Sequence, residues 1–209
     1  MDLKIKVCGM KNPQNIEEVV RLKPDFMGFI FYSKSKRFIG DFWDPKIIHL
    51  ISTDIQKVGV FVNEDFETLV DTQKKYSLDY LQLHGEESIE LCEKLKKSGG
   101  KIIKVFSVGN DFDFSQTKGY EEYCSYFLFD TKGDNYGGNG IAFNWQLLNN
   151  YPSEVPYFLS GGIGLENLEM IKEINSSFLY AVDVNSRFET EPGLKDIPKL
   201  KELFNTLKA

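Results

Sequence analysis

Histidine is nearly missing from this 209-residue chain, with two copies, and cysteine is scarce, with three. Cys8, Cys92 and Cys124 show no C-x-x-C spacing, so neither structural zinc nor a disulfide framework is expected. Two histidines, one of them (His49) inside an apolar helical pattern, equip the chain poorly for a clustered metal-ligand set. No run approaches the roughly 20 apolar residues of a membrane span. The segment Met1–Cys8 lacks the apolar core of a signal peptide, and the expectation is a cytoplasmic protein without a membrane partner. An excess of positive charge is lacking too: the formal net charge is −6, which gives no global attraction to nucleic acid. Any phosphorylated ligand must then be held by a local site.

Linkers rich in glycine, proline or serine are absent, and no G-x-G-x-x-G turn follows the first strand pattern. What is present is a 42% hydrophobic fraction, enough for one folded domain over residues 1–209. Short β-branched and aromatic runs alternate with amphipathic stretches throughout. The runs are Leu3–Cys8, Phe26–Phe31, Lys57–Val62, Tyr80–Leu83, Ile102–Phe106, Tyr126–Asp130, Tyr157–Ser160 and Phe178–Asp183. They are continuously apolar, as strands of a parallel sheet covered on both faces are.

Helical patterns fill the gaps. Pro13–Lys23 has Asn12 as N-cap and Pro13 in the first turn. Phe66–Tyr76 places Phe66, Leu69 and Val70 on one face, and Ser88–Lys97 runs from acidic Glu86 and Glu87 to Lys94, Lys96 and Lys97. Gly164–Ile174 and Lys195–Leu207 repeat the pattern, Pro45–Ile51 and Trp145–Asn149 are shorter, and Asp113–Cys124 is the weakest. About eight strand-then-helix units predict an α/β fold, a single closed (β/α)8 TIM barrel rather than an open doubly wound sheet.

Catalytic side chains of such barrels stand at the carboxyl ends of the strands. There the sequence places Cys8, whose thiolate would serve as base or nucleophile if nearby cations lower its pKa. A buried structural cysteine is the alternative, and it is the reading for Cys92 and Cys124. Arg37 ends the basic loop Ser33–Arg37 and suits a carboxylate. His84-Gly85 closes the fourth strand. Asp130, after three apolar residues, is a general-acid candidate because desolvation raises a carboxyl pKa. The segment Gly133–Gly140 is long enough to cover a ligand. Gly161 and Gly162 after the seventh strand, and Ser186 after the eighth, occupy the recurrent phosphate position of barrels.

Five separated motifs, in order, resemble the phosphoribosylanthranilate isomerase family of tryptophan biosynthesis. They are Gly59-Val60-Phe61-Val62-Asn63, Gln82-Leu83-His84-Gly85-Glu86, Asp130-Thr131 with Gly137-Gly138-Asn139-Gly140, Ser160-Gly161-Gly162-Ile163 and Val182-Asp183-Val184-Asn185-Ser186. The resemblance runs from Lys6 to Asp196 and implies an Amadori rearrangement without metal or organic cofactor. It makes Asp130 the general acid, Cys8 the general base, Arg37 the anthranilate carboxylate contact, and Gly161, Gly162 and Ser186 the phosphate cradle. His84 and Asp183 match positions near the substrate.

Three departures stand out: Lys36 where proline is common, which loosens the Arg37 loop, Asn139 for Thr or Ser, and Arg187 for glycine. Arg187 either removes backbone freedom that the cradle uses or adds a charge-assisted phosphate contact, and the second is the expectation. The other readings are a related sugar-phosphate isomerase or epimerase, and a non-catalytic phosphate-binding barrel. A monomer and a homodimer are both compatible with the sequence.

Overall fold

A computed structural model of the chain describes residues 3–40, 44–109, 111–131 and 143–208. The glycine-rich segment Gly133–Gly140 and the side chain of His49 lie outside the described residues.

Eight parallel strands close into a barrel in chain order. They are β1 (Lys4–Val7), β2 (Phe26–Ile30), β3 (Gln56–Phe61), β4 (Tyr80–Leu83), β5 (Ile102–Val108), β6 (Tyr126–Thr131), β7 (Tyr157–Leu159) and β8 (Leu179–Val184). Closure is made by β1 against β8, with Lys4 opposite Ala181 and Val7 opposite Val184. All eight strands fall where the apolar runs predict them.

The helices are α1 (Pro13–Val20), α2 (Phe66–Tyr76), α3 (Ile89–Lys97), α4 (Leu168–Lys172) and α5 (Ile197–Leu207). Each long one starts on a side chain that accepts an orphan backbone N–H. Asn12 caps α1, Asp65 caps α2, Ser88 caps α3 and Asp196 caps α5. Elsewhere the expected helices shrink. Pro45–Leu50, Phe114–Thr117 and Trp145–Asn150 are single 3₁₀ segments, and Gly164–Ile174 divides into a 3₁₀ turn at Leu165–Asn167 followed by α4. Of the expected last helix Lys195–Leu207, Lys195 belongs instead to a small antiparallel hairpin, β9 (Glu189–Glu191) with β10 (Leu194–Lys195), and the helix starts at Ile197.

Two apolar clusters divide the core. The larger lies between the barrel and its helices and includes Val19, Leu69, Leu95 and Leu203. The smaller fills the barrel itself: Phe26 of β2 meets the rings of Tyr80 on β4, Tyr126 on β6 and Tyr180 on β8. One strand reaches three others on alternate staves only across the lumen, as in the side-chain layers of this architecture. Tyr180 joins them because the β7–β8 register slips there, with Tyr157 opposite Leu179 but Phe158 opposite Ala181. Strand side chains alternate in direction, so residues two apart share the interior. Following that rule upward leads from Tyr80, Tyr126, Phe158 and Ala181 to Gln82, His84, Asp130, Ser160 and Asp183, and on β1 from Lys6 to Cys8.

Candidate active site

Those residues line one cavity at the carboxyl ends of the strands, together with Arg37, Thr131, Gly161, Gly162, Asn185, Ser186 and Arg187. Every site residue predicted from sequence is therefore brought to one mouth.

Cys8 is buried beside the fully buried Lys6, whose Nζ donates to Asp183 Oδ2 at 2.8 Å. Gly28 on β2 makes room for the thiol: a Cβ there would fall 2.7 Å from Cys8 Sγ. The cations expected to lower the Cys8 pKa are present as Lys6 and Lys195, but burial outweighs them and pushes the thiol above its ordinary value. Burial would lower Lys6, yet Asp183 and Cys8 more than offset it and raise its pKa, so Lys6 stays charged. Burial also pushes Asp183 up, against the pull of Lys6.

Asp130 is 6% exposed at the end of β6. Its Oδ1 accepts the Thr131 backbone N–H at 2.9 Å, and Oδ2 lies 3.3 Å from His84 Nε2. The Gln82 amide nitrogen stands 3.2 Å from His84 Nδ1. With Gln82 donating there, Nδ1 is the acceptor and Nε2 is the ring nitrogen that faces Asp130. Two buried acceptors of the mouth, Asp183 Oδ1 and Gln82 Oε1, have no hydrogen-bond partner among the described residues.

The β4–α3 loop is held from below. Glu87 does not serve the α3 dipole as its position suggested; Ser88 caps that helix and the Glu87 carboxylate turns inward. It accepts the N–H groups of Asn63 and Gly85 and pairs with Lys104 Nζ at 2.9 Å, while Lys104 also donates to the Gly85 carbonyl.

Gly161 and Gly162 both take left-handed backbone, at φ +87° and +69°. A Cβ on Gly161 would stand 2.2 Å from Thr131 Oγ1, so glycine is required where β7 passes β6. Ser186 opens a 3₁₀ turn, and Arg187 after it pairs with Glu166 of the facing turn. In the Arg37 loop Ser35 Oγ accepts the Arg37 N–H, and Phe38 bridges Ile30. Arg37 itself makes a forked pair with Glu189.

Sequence reasoning missed Lys6, Lys195 and Glu189. Lys6 was legible in principle, since it shares the inward parity of Cys8; Lys195 and Glu189 depend on a hairpin that the pattern concealed.

A closed parallel barrel whose titratable groups converge at the strand carboxyl ends defines the (β/α)8-barrel class of enzymes. The model of the N-(5′-phosphoribosyl)anthranilate isomerase family matches residues 5–206, and the chain belongs to that family. The isomerase of Parabacteroides distasonis is 46% identical over 204 residues, covering 97% of this chain and 92% of that protein. The solved phosphoribosyl anthranilate isomerase of Thermotoga maritima superposes with a TM-score of 0.88 at 36% identity, covering 99% and 98% of the two chains. A further isomerase structure, in complex with reduced 1-(o-carboxyphenylamino)-1-deoxyribulose 5-phosphate, gives 0.83 at 33% identity over the same shares.

Proposed function

We propose that this mouth isomerises N-(5′-phosphoribosyl)anthranilate to 1-(2-carboxyphenylamino)-1-deoxyribulose 5-phosphate, a step of tryptophan biosynthesis. The observation that carries the reading is the meeting of Cys8 and Asp130 in one cavity that also presents Arg37 and the Gly161-Gly162 turn.

Asp130 gives its proton to the ribose ring oxygen as the C1′–O bond breaks. The anilino nitrogen lone pair forms the C1′=N bond, leaving an iminium cation. His84 orients the Asp130 carboxyl by its contact to Oδ2. The Cys8 thiolate then takes the C2′ proton, and the C–H electrons flow to the iminium nitrogen through a new C1′=C2′ bond. The resulting enolamine tautomerises to the ketone. Burial holds Cys8 protonated in the free enzyme; the iminium supplies the positive charge that favours its thiolate, and the thiol proton passes to solvent at the open mouth before the C2′ proton is taken. The order of steps follows from the chemistry: the C2′ proton becomes acidic only once the iminium has formed.

Arg37 takes the anthranilate carboxylate, and Gly161, Gly162 and Ser186 take the phosphate with Arg187 swinging from Glu166. Asp183 Oδ1 and Gln82 Oε1 are acceptors suited to the sugar hydroxyls. The same reading makes the chain a single domain over residues 1–209, cytoplasmic, monomeric or homodimeric, acting without cofactor, metal or nucleic acid.

The test is loss of anthranilate-type fluorescence from substrate generated in place, with EDTA present. Turnover is expected from the parent, with Cys8→Ala and Asp130→Ala at background. Parent protein that is folded but inactive, or full activity in either variant, would refute the assignment.

A further inference from the structure

Behind Arg37 stands a charged cluster that the acid–base reading does not use. Arg37 lines the mouth, whereas Glu189 and Lys195 lie beneath it on the β9–β10 hairpin. Arg37 Nε donates to both Glu189 oxygens at 3.0 and 2.9 Å, and Nη2 donates at 2.6 Å. Lys195 Nζ donates to the same carboxylate at 2.6 Å and to Asn185 Oδ1 at 2.7 Å. The Gly193 N–H reaches Glu189 as well, at 3.1 Å. The side chains of Lys195 and Glu189 are 0% and 4% exposed, against 15% for Arg37. Gly9 closes the cluster from above, where a Cβ would fall 2.8 Å from Arg37 Cδ and 2.7 Å from Asn185 Oδ1.

Burial pushes Glu189 up, but Arg37 and Lys195 outweigh it and hold the carboxyl below its ordinary value. Burial outweighs the pull of Glu189 and leaves Lys195 below its ordinary value, while Nζ still donates to the Glu189 carboxylate at 2.6 Å. With Lys195 protonated, two cations share one carboxylate. An Arg37–Glu189 pair alone would be self-neutral and would offer an incoming carboxylate little attraction. Burying a second ammonium is costly unless it is paired and hydrogen-bonded, and here it returns one uncompensated positive charge to the cluster, whose charged member lining the mouth is Arg37.

We propose that Lys195 is a specificity-determining residue that never touches substrate: through the shared Glu189 carboxylate it keeps Arg37 electrostatically available to the substrate's aryl carboxylate. The proposal rests on the assignment of that carboxylate to Arg37.

Binding is measured rather than turnover, because Lys195 also acts on Cys8. The probes are reduced 1-(o-carboxyphenylamino)-1-deoxyribulose 5-phosphate and its phenylamino counterpart lacking the carboxylate. Lys195→Met is expected to raise Kd for the first about tenfold, the scale of one charge-assisted contact, and to leave the second within about twofold. Lys195→Met/Glu189→Gln removes both charges and restores the surplus on Arg37, so preference for the carboxylate ligand is expected to return. Equal weakening of both ligands, an unchanged carboxylate ligand, or no recovery in the double variant would overturn the proposal. If Lys195→Met does not fold, the double variant decides alone: retained preference supports the proposal and lost preference overturns it. Arg37→Ala separates the two levels. If it fails to discriminate between the ligands, the Arg37 assignment is wrong; if it discriminates while the Lys195 variants do not, only the present proposal falls.

Discussion

Cys8 sits between opposing influences, and their balance is measurable. Lys6 and Lys195 favour its thiolate, while burial and Asp183 oppose it, and burial dominates. A raised thiol pKa means that the proton stays on at neutral pH and leaves only as pH rises past the free-cysteine value near ~8.5. Alkylation of the Cys8 peptide by iodoacetamide, followed by mass spectrometry, is expected to show an apparent pKa above that value. An apparent pKa well below it would mean that the two lysines prevail over burial. Activity should fall in step with modification. At this scale the sequence showed which groups stand at strand ends, because position in an eightfold pattern is enough for that. It did not show the sign of the Cys8 shift, which depends on how completely Gly28, Lys6 and Asp183 enclose the sulfur.

Among the elements, the loop that carries His84 is fixed by a buried ion pair. Lys104 and Glu87 have side chains 3% and 1% exposed, and their contacts tie β5 to the turns after β3 and β4. Removing one partner strands the other charge, so Lys104→Met is expected to cost about 3 kcal/mol or more in urea unfolding. A loss under about 1 kcal/mol would show that the backbone N–H groups of Asn63 and Gly85 alone satisfy Glu87. The long helices were legible because their caps and apolar faces agree, as at Asn12, Asp65 and Ser88. The 3₁₀ segments were not, since a single apolar turn has the same residue pattern as the start of a longer helix. The hairpin was hidden for a related reason: Leu194 and Lys195 continue the α5 periodicity backward, but Asp196 caps that helix and releases Lys195 into the cluster under Arg37.

For the molecule as a whole, the alternation of strand side chains separates an aromatic floor from the mouth that holds Cys8 and Asp130. Phe158 is fully buried in the floor, 5.0 Å from the Phe26 ring centroid and 5.1 Å from that of Tyr126. Phe158→Ala is expected to lower stability by about 3–5 kcal/mol while kcat/KM, measured well below the new Tm, stays within about threefold. A large catalytic loss in a fully folded variant would mean that the two layers are coupled. The barrel was readable from the sequence because eight continuous apolar runs admit few arrangements; the clustering of rings on β2, β4, β6 and β8 required the strand tilt and the slip at Tyr180. Closure has a consequence for the order in which the site comes into being. A ribosome makes Cys8 among the first residues and Asp183 among the last, yet β8 supplies both the outer neighbour of β1 and the carboxylate of Lys6. A nascent chain carries its base long before that base has its electrostatic surroundings, with one edge of β1 unpaired until residue 184 has been added. Every truncated product that stops short of β8 is therefore open-edged and also lacks the carboxylate that holds Lys6, and the docking of that one strand supplies both.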